Sequence, residues 1–123
     1  MSTSIEDKIK AAKTCGSRVM KSKVSGIEVI YRSLTRKEMR DLQRKVADKT
    51  DSLRKDKERL SEAELLRLKE EGEEAIVFRG VLSPNLESEL DLLGLPAAFV
   101  PNVAEYILSA SGFGEEITPP EEL

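Results

Sequence analysis

Gly26-Ile27-Glu28-Val29-Ile30-Tyr31-Arg32-Ser33-Leu34-Thr35-Arg36-Lys37-Glu38 sets a strand directly before a helix. Ile27, Val29 and Tyr31 alternate with Glu28, Ile30 and Arg32. A period of two in β-branched and aromatic residues is the pattern of a strand. The alternation stops at Thr35-Arg36-Lys37-Glu38, where a different logic begins. The Thr35 hydroxyl can accept from the third helical amide while Glu38 reaches back to the cap amide, a reciprocal pair that starts a helix. Leu34 before the cap and Met39 inside it can close a hydrophobic staple. Met39, Leu42 and Val46 then recur at helical spacing on one face.

On the N-terminal side, Val24-Ser25-Gly26 can turn a hairpin with residues 18–23. A strand pair alone is barely stable, so this one must pack against helices. Earlier still, Ser4 can cap a short helix in which Ile5, Ile9 and Ala12 share a face. Such a helix is marginal by itself, and Cys15-Gly16-Ser17 interrupts it. Residues 1–25 therefore read as a flexible or partly helical N-terminal segment.

On the C-terminal side, Asp48 to Arg59 offers only Leu53 as a large apolar residue, which predicts a solvated helix or a fraying extension. Ser61-Glu62-Ala63-Glu64 is a second capping box. Leu65, Leu66, Leu68, Ala75 and Ile76, continuing to Phe78 and Val81, supply the apolar face of the helix that follows. Gly72 weakens this helix by up to about 1 kcal/mol relative to Ala, and its small size suits the close approach of another helix. Leu82-Ser83-Pro84 ends it, because the residue before Pro disfavours the α conformation. Leu86, Leu90 and Leu93 form the apolar face of a short helix within 85–95, broken by Gly94-Leu95-Pro96. Pro101 fits the first turn of a last helix, whose buried face is Val103, Ala104, Ile107 and Leu108. Ser111-Gly112-Phe113-Gly114 closes it with a glycine suited to a left-handed cap. Residues 115–123, with Pro119-Pro120 and four Glu, read as a flexible acidic tail. The expected fold is mainly α: a short N-terminal β-strand or hairpin followed by a compact bundle of three or four helices, with residues 26–114 as one domain.

The 123 residues suit a single domain. Charged residues make up 35% and hydrophobic ones only 39%, so much helix surface must face water or a charged partner. The net charge of −3 conceals a split. Residues 1–60 hold 17 Lys/Arg against 9 Asp/Glu, and residues 61–123 hold 3 against 14. Opposite halves can attract each other within the fold or between copies, which permits self-association. No apolar run approaches the roughly 20 residues a membrane helix needs, and the N-terminus lacks the apolar stretch of a signal peptide. The sequence thus points to a cytoplasmic protein with no membrane partner.

The residues for most catalysis are missing. Histidine is absent, which removes the commonest general base and metal ligand. The single cysteine, Cys15, can form neither an internal disulfide nor a cysteine-based zinc site. The run Glu70-Glu71-Gly72-Glu73-Glu74 reads as a wet helix surface, not as a carboxylate pair in separate environments. No phosphate-binding glycine loop occurs. The chain is expected to be no enzyme and to need no cofactor and no metal. Arg36, Arg40 and Arg44 form an i, i+4, i+8 stripe that can follow a phosphate backbone. Glu38 and Asp41 share that helix, and no aromatic residue interleaves to stack bases, so nucleic acid is the weaker class of partner.

Two segments carry a resemblance. Ile30-Tyr31-Arg32-Ser33-Leu34-Thr35-Arg36-Lys37-Glu38 resembles the tyrosine-arginine, leucine-threonine, charged-glutamate pattern of the tail assembly chaperones of long-tailed bacteriophages. Gly94-Leu95-Pro96-Ala97, continuing through Val103-Ala104-Glu105-Tyr106-Ile107-Leu108-Ser109-Ala110-Ser111-Gly112-Phe113, is similar to the last helix of those proteins. Between them, Glu74-Ala75-Ile76-Val77 to Leu82-Ser83-Pro84 resembles the family's middle helix and its proline stop. The order and spacing fit across residues 26–114. The resemblance implies a protein of the host cytoplasm that holds the aggregation-prone tape measure protein soluble until tube subunits polymerise around it. Alternatives are a structural or accessory component of a phage-like particle, or a nucleic-acid-associated regulator using the Arg36, Arg40 and Arg44 stripe. Apolar helix faces for client helices and a charged exterior are both present in this sequence. No individual partner-binding residue can be assigned from it.

Overall fold

A computed structural model describes residues 4–54, 59–112 and 121–123. The hairpin is present: β1 (Val19–Val24) pairs antiparallel with β2 (Ile27–Arg32), with Val24 opposite Ile27. That register leaves a two-residue loop, and both of its members, Ser25 and Gly26, have positive φ (53° and 81°). Such a turn matches the right-handed twist of the strands, and Gly26 meets its demand without steric cost.

Before the hairpin, α1 (Ile5–Thr14) starts where Ser4 accepts from the Asp7 amide. After it, α2 (Arg36–Leu53) opens on the Thr35–Glu38 capping box. The second box, Ser61–Glu64, opens α3 (Glu62–Gly80). Leu34 and Met39 are both buried in the central core, as a staple requires. A 3-10 helix (Glu89–Gly94) and α4 (Phe99–Ala110) follow, and Gly112 sits beyond α4 with φ of 94°. Phe113, Gly114 and most of the expected tail, through residue 120, lie outside the described residues, as do residues 55–58.

The mainly α expectation, a hairpin followed by a bundle, is corrected by the sheet. Val81–Ser83 forms β3 directly after α3 and pairs with β2, and Glu121–Glu122 forms β4 and pairs with β1. The result is a four-stranded antiparallel sheet in the order β3-β2-β1-β4, and the fold is α+β. Neither added strand is visible locally. Three residues are too few to display a period of two, and glutamate is depleted in strands. Both become strands only because distant residues offer them unpaired backbone groups. The Leu123 amide extends the pairing by donating to the Val19 carbonyl at 2.8 Å.

The core lies where the sheet meets α3 and α4. Val29, Val77, Phe99, Val103 and Ile107 have no accessible surface, and Tyr31 has 1%. The close helix approach expected at Gly72 occurs instead at Gly80, where a Cβ would stand 2.5 Å from Ile107 Cδ1. Nothing lies within 4 Å of such an atom at Gly72.

Candidate interaction surface

Two half-buried side chains link the sheet to α2. Arg32 at the end of β2 donates from both terminal nitrogens to the Glu38 carboxylate, at 2.8 and 2.6 Å. The Arg32 hydrogen bonds are the main reason the Glu38 carboxyl is held down to about 2, with the Thr35 amide and hydroxyl adding to the effect. Burial opposes this and is outweighed. The Ser111 hydroxyl adds a second link. It accepts from the Leu34 amide at 2.8 Å and donates to the Ile107 carbonyl at 2.7 Å. The two segments that carry the family resemblance therefore touch, and Arg32, Thr35, Glu38 and Ser111 of these segments are engaged in structural hydrogen bonds, while the Tyr31 hydroxyl is buried without a partner among the described residues.

The hairpin of α2 and α3 is different. Only Met39 and Leu42 of α2 are buried, and only Leu68, Val77 and Gly80 of α3. The far half of each helix projects past the core. Between the helices runs a groove of about 510 Å³. Its floor is Met39, Leu42, Leu68, Ala75 and Ile76, and Val46 and Gly72 line its sides. The absence of a side chain at Gly72 helps keep it open, since nothing stands within 4 Å of that position. Val46, Leu65 and Leu66 remain 41%, 55% and 57% exposed. Close by, Leu90 and Leu93 of the 3-10 helix are 74% and 75% exposed, while Leu92 turns inward. With three residues per turn, positions 90 and 93 eclipse on one side. The apolar face expected there, Leu86, Leu90 and Leu93, thus divides: Leu86 is half-buried and the other two face outward.

The rims of the groove carry opposite charge. Lys45 and Lys49 line it from α2, and Glu71 and Glu89 from α3 and the 3-10 helix. Lys49 and Glu71 pair across it, and Arg67 reinforces Glu71 from one turn away at 3.2 Å. These cations draw the Glu71 carboxyl down, Lys49 chiefly. Glu74 is pushed the other way, first by burial and then by Glu89, Glu71 and Glu70.

Of the helix residues expected to offer apolar faces, Ile107 and Leu68 belong to the interior and Leu108 is half-buried. Ile76 lines the groove and Leu65 is exposed. Val46 shares the helical spacing of Met39 and Leu42 yet lies outside the core, because periodicity marks a stripe without saying where along it the core stops. Arg36, Arg40 and Arg44 are exposed, and none makes an ion pair among the described residues. Cys15 is also exposed. No helix among the described residues is long and apolar enough to cross a membrane. The chain matches no known family model, no curated protein and no solved structure.

Proposed function

We propose that this protein is a tail assembly chaperone of a long-tailed phage, which binds amphipathic helical segments of the tape measure protein non-covalently in the host cytoplasm. The observation that carries the reading is the open apolar groove between α2 and α3, with Val46 exposed in its lining and Leu65 exposed near the start of α3. An amphipathic helix laid in such a groove buries its apolar stripe against Met39, Leu42, Leu68 and Ile76. Lys45 and Glu89 on opposite rims give the bound helix a preferred charge pattern. Binding of this kind needs neither ATP nor a metal. The family resemblance supports the tape measure protein as the client, and the groove supports binding of a helix.

The test is co-expression with the tape measure protein encoded in the same genome. The soluble client fraction should rise, and client should co-purify with the chain. Val46→Asp and Leu65→Asp should each lower the retained client while leaving the chaperone folded. An unchanged client with no co-purification overturns the reading. A second reading rests on the exposed Arg36, Arg40 and Arg44 stripe. It requires steeply salt-dependent binding of DNA or RNA that is lost when the stripe is reversed in charge.

A further inference from the structure

We infer that a second copy of this chain covers the α2–α3 hairpin, the two hairpins packing face to face about a twofold axis with the basic α2 of each copy over the acidic α3 of the other. This inference concerns the chain alone and stands whether or not the client is a tape measure protein.

Charge carries the argument. Over its residues α2 has six Lys/Arg against four Asp/Glu, and α3 has three against six. Charge segregated between two neighbouring helices ordinarily serves to pair them. Here Lys49–Glu71 is an ion pair that joins α2 to α3. Arg36, Arg40, Arg44 and Lys45 on one helix, and Glu70, Glu73 and Glu74 on the other, make no ion pair there. Burial is the first cause of the upward push on the Glu74 carboxyl, and the neighbouring Glu89, Glu71 and Glu70 add to it. A twofold axis over the hairpin satisfies both surpluses at once, because any contact of α2 with the partner's α3 occurs twice.

The apolar surface agrees. Val46 and Leu65 would leave water, and so would the groove floor. A hairpin of this length is about 27 Å long at 1.5 Å per residue. Two helices about 10 Å wide present a face of the same order as the roughly 800 Å² that each partner buries in a standard interface. Parallel or antiparallel stacking of two such hairpins is ordinary four-helix packing.

The experiment is sedimentation of the full chain across about 1–100 µM, a range that brackets the weak end for interfaces of this size. The expected result is a reversible dimer. Leu65→Asp, at an exposed position, should shift the equilibrium toward monomer by roughly tenfold or more. Two further variants test the charge logic: Arg44→Glu with Lys45→Glu, and Glu73→Lys with Glu74→Lys. Each should be monomeric alone, and a one-to-one mixture should restore a dimer. Circular dichroism checks that each is folded. If a reversed pair does not fold, Leu65→Asp still decides the matter. A monomer throughout the range overturns the inference, as do reversed variants that dimerise like the parent or a mixture that stays monomeric. A monomeric chain that nevertheless retains client would leave the chaperone reading intact and remove only this one. A dimer that retains no client would do the reverse.

Discussion

Glu38 does two jobs with one carboxylate. It closes the capping box of α2 through the Thr35 amide at 3.0 Å and receives both Arg32 nitrogens. Its folded value of about 2 lies below the ordinary 4.5. A depressed carboxyl contributes stability that is fully present above the unfolded value and is lost as pH falls from about 4.5 toward 2. Glu38→Gln should therefore cost about 1–3 kcal/mol at pH 7, and the gap from the parent should narrow as pH approaches 2. Urea unfolding at the two pH values reads both effects, and an unchanged gap would exclude the ion pair as its source. Gly80 is the other residue with a sharp geometric demand. Gly80→Ala should destabilise by about 1–3 kcal/mol, because its methyl would meet Ile107 Cδ1. Ile107→Val removes that atom, so the double variant should lose less than the sum of the two single losses.

At the scale of elements, α2 and α3 each divide into a packed half and a projecting half. The packed halves bring Met39, Leu42, Val77 and Gly80 to the core, while the projecting halves leave Val46, Leu65 and Leu66 in water. Substitution of exposed residues seldom changes stability by more than about 0.5 kcal/mol. Val46→Asp and Leu65→Asp should thus melt within a few degrees of the parent while losing client retention and self-association together. Thermal melts beside co-purification separate these effects. A variant that unfolds would show that the exposed stripe supports the fold after all. Both capping boxes were readable from four-residue patterns because a cap is a local hydrogen-bond exchange. The placement of Leu90 and Leu93 was not, because a six-residue apolar pattern fits either side of a short 3-10 helix.

At the scale of the whole molecule, contacts between distant residues hold the layers together. Ser111 joins the strand-to-helix connection at Leu34 to the end of α4, across 77 positions of sequence. Ser111→Ala would leave the Leu34 amide without its acceptor, at an expected cost of about 1–3 kcal/mol in chemical denaturation. A loss below a few tenths would mean that water replaces the hydroxyl. The proposed dimer and the proposed client use the same hairpin face, so added client should dissociate the dimer. Sedimentation of the chain with a client peptide measures that competition, and a ternary complex containing an intact dimer would contradict it.

The residues alone determined the local devices. The Thr35 and Ser61 caps, a hairpin turn around Val24-Ser25-Gly26, the alternation through β2 and the core face at Val103, Ala104 and Ile107 are written within one or two turns of chain. Each depends on hydrogen bonds or periodicity among near neighbours. Tertiary structure decided what depends on distance. It made strands of Val81–Ser83 and Glu121–Glu122 by offering them the open edges of β2 and β1. It chose Gly80 over Gly72 as the point of helix contact. It also set where along the α2 and α3 stripes the core ends, leaving Val46 and Leu65 outside. A periodic stripe states which face is apolar, and only the space occupied by the rest of the chain states how much of that face is covered.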